Sequence, residues 1–225
     1  MRVLIGCEKS GVVRRAMRAR GADAWSCDLE PADDGSPFHL RCDVLEVLRD
    51  RWDLAIFHPE CRYLCASGMH WVGKRSGRLD QLLEAAEFAR KLFNAPIPRI
   101  CLENSVGFLS RFLRAPDQIV QPWQFGDDAS KATALWLYRL PPLKIDPALF
   151  YPPRFVCCGH VVASGDKYGC LNCAGEKIAR PRWSNQTDSG QNKLPPSKNR
   201  SALRAETYPG IARAMAETWI PEVIP

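Results

Sequence analysis

The chain has 225 residues, enough for one substantial core with a small appendage or for two modest domains. Hydrophobic content of 46% beside 25% charged residues is ordinary for a soluble globular protein, and no run approaches the roughly 18 apolar residues of a membrane helix. The net charge is +6 and uneven: from Lys177 to Arg204 seven basic residues face a single acid, Asp188. That segment, interleaved with Trp183 and prolines, suits contact with a polyanion or reads as a solvated basic loop.

The first 145 residues alternate short apolar runs with amphipathic stretches. "RVLIGC" (2–7) reads as a buried strand and Gly6 to Gly11 as a turn. A helix over 11–20 follows, with Val12, Val13, Ala16 and Met17 on its apolar side. "DAWSCDL" (23–29) is a second strand ending at Asp28, and "FHLRCDV" (38–44) a weaker third ending near Asp43. "WDLAIFHP" (52–59) is the clearest, closed by a proline. The spacing of Leu79, Leu82, Leu83, Ala86, Ala89, Leu92 and Phe93 predicts a helix over 79–93. "RICLEN" (99–104) is the fifth strand and "TALWLYRL" (133–140) a late one. Ile211, Ala212, Met215 and Trp219 mark a closing amphipathic helix over 207–219. Such alternation predicts an α/β fold with a mostly parallel sheet and helices on both faces.

The N-terminus "MRVLIGCEKSG" has neither the long apolar stretch nor the cleavage site of a signal peptide, so a cytoplasmic protein is expected. Ten cysteines in a reducing compartment point to metal binding or catalysis for some of them. In an open α/β sheet, ligands bind at the carboxyl ends of strands. The polar residues there are Gly6 through Gly11 (with Glu8, Lys9 and Ser10), Asp28, Asp43, Pro59-Glu60-Cys61 and Glu103-Asn104. A glycine turn after strand one with an acid ending strand two is how such folds hold a nucleoside. Asp43 is placed to meet an adenine amino group; alternatively, Asp28 and Asp43 cap helices. Cys61 has three roles open to it: packed thiol, metal ligand or nucleophile.

Pro59-x-Cys61 followed by Glu103-Asn104 gives this layout a family likeness. It resembles the DNA cytosine carbon-5 methyltransferases, most closely their short phage and prophage forms, over about residues 1–143 and 195–220. The resemblance implies a Rossmann-like fold that binds S-adenosylmethionine, in a bacterial or phage-infected cell. It implies Cys61 as nucleophile and Glu103 as the acid contacting the base. Phe125-Gly126, Lys131 and "TALWL" stand where the family has its Gln-x-Arg-x-Arg strand, without the arginines. Carbon-5 of cytosine is a poor nucleophile, and a thiolate adding to carbon-6 turns the ring into an enamine. A carboxyl group at N3 must donate a proton to accept that charge, so a raised pKa is expected for Glu103. A target in a duplex must first be flipped out, and a basic surface gripping phosphates helps.

The chain departs from the pattern at three places. Glu60 separates the proline from the cysteine where short relatives carry Pro-Pro-Cys, Lys9 sits in the cofactor turn, and Arg62 follows the nucleophile. Lys9 and Arg62 would suit a carboxylated S-adenosylmethionine and transfer of carboxymethyl; otherwise Lys9 faces solvent or pairs with Glu60.

A second constellation is Cys157-x2-His160 and Cys170-x2-Cys173, with Cys158 an alternative to Cys157. Two pairs at this spacing signal a structural zinc with four protein ligands. The expected organisation is a catalytic domain over 1–150, a zinc insert over 151–180, a basic DNA-contacting loop over 181–206 and a terminal helix over 207–225. Two further readings stand beside a DNA cytosine transferase: a non-catalytic zinc-dependent DNA-binding protein, and an exocyclic-amine DNA methyltransferase.

Overall fold

The computed structural model describes residues 1–157, 160–162, 180–195, 197 and 206–221, with the side chains of 157 and 160–162 outside that description. It divides into two compact units, the first formed by Met1–Val120, Ala132–Lys144 and Ser201–Pro225, the second by Gln121–Lys131 and Ile145–Arg200.

The first unit is built on a seven-stranded sheet of order β3-β2-β1-β4-β5-β7-β6. Its strands are β1 (Arg2–Gly6), β2 (Asp23–Asp28), β3 (His39–Arg41), β4 (Leu54–Phe57), β5 (Ile100–Ser105), β6 (Gln118–Val120) and β7 (Thr133–Tyr138). Strands β3, β2, β1, β4 and β5 pair in parallel, and β7 runs antiparallel between β5 and β6. All four residues of β4 are buried, as expected of a central parallel strand covered on both faces. The order reverses between β1 and β4, and at such a switch point the carboxyl ends of the strands open a crevice for ligands.

The helices of this unit are α1 (Val12–Ala19), α2 (Val44–Val47), α3 (Ala66–Met69), α4 (Arg78–Phe93), α5 (Leu109–Phe112) and α6 (Pro209–Trp219). Helix α6 starts with proline at its first position, where the missing N–H costs nothing, and buries Ile211, Ala212, Met215 and Trp219. It packs on α1. In α4 the inward stripe is Leu82, Ala86, Ala89 and Leu92, whereas Leu79 and Leu83 are 52% and 43% exposed. The apolar face of α4 is therefore narrower than its sequence suggests.

In the second unit, β8 (Arg154–Cys157) pairs antiparallel with both β9 (His160–Val162) and β10 (Arg180–Arg182). Trp183 stacks on Trp123 with ring centroids 5.3 Å apart, and Phe150 meets Trp123 edge-on. Trp183 is only 9% exposed, so it belongs to the interior of this unit rather than to a polyanion-contacting loop. Arg182 likewise spends its Nε on the carbonyl of Asp188. Residues 180–195 thus form a strand and turns rather than one long loop.

Candidate active site

Strand β1 ends at Gly6, where a Cβ would lie 2.6 Å from the Phe57 ring, so only glycine allows β1 and β4 to approach this closely. The turn that follows holds Gly11 at φ +68°, a left-handed conformation natural to glycine, just before α1. Glu8 folds back within this turn. Its Oε1 accepts from the Val13 amide at 2.8 Å and from the Ser10 hydroxyl at 3.2 Å, satisfying an N-terminal amide of α1. The residue is 6% exposed, and Oε2 has no hydrogen-bond partner among the described residues. A buried carboxylate oxygen without a donor is costly and fits a site awaiting a donor or cation from a ligand.

Asp28 and Asp43 lie close to this turn. Burial first, and then the negative charges of Asp28 and Asp43, push the Cys7 thiol up to about 12. Asp28 Oδ1 accepts from the Glu30 amide at 3.0 Å. Asp43 caps α2, its Oδ1 accepting from Leu45 N at 2.9 Å. The Lys9 ammonium meets Asp33 at 3.1 Å, not Glu60. Hydrogen bonding to Asp33 and its charge together raise the lysine pKa. Arg62 is exposed, with its guanidinium 5.6 Å from the Tyr63 ring.

Strand β4 leads into His58, Pro59, Glu60 and Cys61. Pro59 is buried, Glu60 exposed and Cys61 half-buried and in no disulfide. The Cys61 carbonyl accepts from the amides of Leu64 and Cys65, both at 3.0 Å, which turns the chain sharply after the thiol. Strand β5 grips this loop from the side. Asn104, 2% exposed, donates from Nδ2 to the Pro59 carbonyl at 2.8 Å, and Phe108 N donates to the Leu64 carbonyl at 2.8 Å.

Glu103 stands at 7% exposure, with its Oε2 3.0 Å from His58 Nδ1. The two side chains are 6% and 9% exposed, and the hydroxyl of Thr207, just before α6, lies 3.4 Å from the same nitrogen. His58 and Thr207 escape a reading of the sequence. His58 looks like the flank of an apolar strand, and its partner lies 45 residues away. The only available signal was its place directly before Pro59.

Of the residues expected at a zinc site, Cys157 and His160 are directly opposed in the β8–β9 register. Cys158, Cys170 and Cys173 lie outside the described residues. Among the described residues no group of three or more His, Cys, Asp or Glu side chains could hold a metal ion. No described helix is long and apolar enough to cross a membrane.

No protein-family model and no curated protein matches the chain. Three of the solved structures to which it is similar are methyltransferases. One is provisionally named as a DNA modification methyltransferase encoded within a prophage (E. coli), at 15% identity and a TM-score of 0.41 over 61% of this chain and 46% of that one. The S. pombe Dnmt2 methyltransferase is 17% identical, with a TM-score of 0.38 over 61% and 48%. The Entamoeba histolytica methyltransferase EhMeth is 14% identical, with a TM-score of 0.44 over 65% and 55%. The chain therefore spans about half the length of these structures.

Proposed function

We propose that this chain is a DNA cytosine carbon-5 transferase with Cys61 as nucleophile and Glu103 as the acid facing the base. The observation that carries this reading is the junction of two neighbouring strand ends. Asn104 of β5 holds the Pro59 carbonyl while Glu103, beside it, is held by His58, so the cysteine loop and the carboxyl group belong to one assembly.

In this reading the Cys61 thiolate forms a bond to carbon-6 as N3 takes a proton from Glu103. The enamine so formed would take the carbon that the cofactor supplies, the sulfur–carbon bond breaking and a neutral thioether leaving. Loss of the carbon-5 proton to water then expels the thiolate and restores the ring. Gly6, Glu8, Ser10, Gly11, Asp28 and Asp43 would hold an S-adenosylmethionine-type cofactor, whose ammonium would suit Glu8 Oε2, which has no partner among the described residues. When bound, that cofactor supplies the electrophilic carbon on sulfonium. The DNA partner and its flipped cytosine follow from the same reading.

The transferred group in this proposal is methyl. A carboxylated donor would need cations, and the Lys9 ammonium is already engaged by Asp33. A structural zinc held by Cys157 or Cys158, His160, Cys170 and Cys173 also forms part of the proposal, supported by the opposed backbone positions of Cys157 and His160.

The test is a covalent trap. Mixed-sequence duplex DNA carrying 5-fluorocytosine should form a denaturation-resistant adduct with the wild-type chain and S-adenosylmethionine, and none with Cys61→Ser. Transfer that survives in Cys61→Ser would overturn the reading and favour exocyclic-amine methylation. DNA binding without any transfer would favour a non-catalytic protein. The mass added to cytosine with each donor distinguishes methyl from carboxymethyl.

A further inference from the structure

The proposed reaction uses Glu103 but says nothing of the imidazole buried against it. His58 Nδ1 lies 3.0 Å from Glu103 Oε2, and the Thr207 hydroxyl lies 3.4 Å from the same nitrogen. The other ring nitrogen, Nε2, is buried and has no hydrogen-bond partner among the described residues. That asymmetry decides the tautomer. A proton on Nε2 would be a buried donor with no acceptor, whereas a bare lone pair there is tolerated at smaller cost. The proton therefore belongs on Nδ1, where Glu103 Oε2 accepts it.

Resting on the reading of Glu103 as the acid that faces the base, we propose that His58 is its positioning residue: Nδ1–H holds Oε2 and stabilises the carboxylate formed when Glu103 gives up its proton. The atoms balance within one addition step. The sulfur–carbon-6 bond forms, the ring's electron pair moves toward N3, and the proton on Glu103 Oε1 passes to N3. Glu103 is left as a carboxylate, and the Nδ1–H···Oε2 bond becomes charge-assisted as that charge develops. On elimination the proton returns from N3 to Oε1. His58 never exchanges a proton with the base, and it acts through Glu103 alone.

Other groups lie beside Glu103 on the neighbouring elements. On β5 the Cys101 thiol is held well above its ordinary range, by burial first and then by the charges of Glu103 and Asp117, so it is neutral. Across the sheet Leu135 of β7 opposes Glu103, and from the segment before α6 comes the neutral Thr207 hydroxyl.

The experiment compares the full-length wild-type chain with His58→Leu, which keeps the volume, and His58→Asn, which restores a donor near the place of Nδ1. Adduct formation on 5-fluorocytosine duplex DNA is followed across pH, with melting temperatures recorded for each variant. His58→Leu should slow adduct formation about 10- to 100-fold, the ordinary worth of a hydrogen bond to a charged group. It should also move the alkaline limb of the rate to higher pH, because Glu103 then holds its proton more tightly. His58→Asn should recover most of the rate and move the limb back. A limb that stays in place, with rates that follow only melting temperature, overturns the proposal.

A second readout does not depend on the reaction. Carbon-13 titration of the Glu103 carboxyl, assigned with Glu103→Gln, should show its midpoint moving up in His58→Leu and back in His58→Asn. An unmoved midpoint overturns the proposal even in a chain that forms adducts. Should the wild-type chain form no adduct, the reading of Cys61 has failed, and the titration still decides whether His58 governs Glu103.

Discussion

Asn104 donates its side-chain amide to the main-chain carbonyl of Pro59 at 2.8 Å, while its own Oδ1 accepts from Ser105 N at 3.0 Å. Both ends of one buried amide are therefore satisfied, and the loop that carries Cys61 is tied to the strand that carries Glu103. Replacing Asn104 by Ala leaves the Pro59 carbonyl without its donor, at a cost of about 1–3 kcal/mol. Urea unfolding should register that loss, and adduct formation on fluorocytosine DNA should fall further than stability alone explains. An N104A chain of wild-type stability and rate would show that the tie does not position the loop.

A second buried network supports the turn after β1. Arg14 is 1% exposed, donates to the Ser26 hydroxyl at 2.6 Å and pairs with Asp34, which also receives Arg15. Burial alone would push the Asp34 carboxyl up, but hydrogen bonds from both arginines outweigh it and hold the group at about 2. A depressed carboxylate contributes stability that is present above its unfolded value near 3.8 and lost as pH falls toward 2. With its side chain 28% exposed, solvent screening reduces that contribution to about 1–2 kcal/mol. Asp34→Asn should be less stable than wild type by that amount at pH 7, and the two should converge between pH 4 and pH 2. Parallel unfolding curves at all pH values would remove Asp34 from the account.

Much of the first unit was legible because its strands are buried on both faces, which writes them as unbroken apolar runs such as Leu54 to Phe57. Strand β6, three residues long, carries no such signal and exists through its antiparallel pairing with β7. Leu79 and Leu83 fit the helical period yet face outward, since period alone does not reveal how wide a stripe the sheet covers. The candidate site divides in the same way. Polar residues at strand ends could be read by position, including Glu8, Asp28, Cys61 and Glu103. The contact of His58 with Glu103 could not, because it joins positions 45 apart and its meaning depends on burial. Trp183 shows the opposite error: surrounded by basic residues in sequence, it stacks on Trp123 in the interior of its unit.

For the second unit the decisive experiment is metal analysis. Purified chain should carry about one zinc ion, bound tetrahedrally by the two cysteine-bearing pairs. Cys170→Ser and Cys173→Ser should each lose it, and a strong chelator should lower the melting temperature of the wild-type chain, since metal binding and folding are linked in such modules. Because Cys157 opposes His160 in the β8–β9 register, Cys157→Ser tests whether that position or Cys158 supplies the first ligand. Metal-free chain with unchanged melting in chelator would sink the zinc assignment.

Glu8 yields a prediction about stability and binding together. Its Oε1 is engaged by Val13 N and the Ser10 hydroxyl, while Oε2 is buried without a partner among the described residues. An unmatched buried carboxylate oxygen destabilises the ligand-free fold, and groups kept at such a cost are often kept for binding. Glu8→Gln preserves an oxygen for the Val13 amide but removes the charge. The NH2 that replaces Oε2 is then a buried donor with no acceptor among the described residues, so the ligand-free chain should lose about 1 kcal/mol in urea unfolding. The same change should weaken calorimetric binding of S-adenosylhomocysteine about tenfold or more, because the neutral amide is a poorer partner for an ammonium group. Loss of stability together with unchanged binding would place the Glu8 carboxylate outside the cofactor site and assign it to the α1 turn alone.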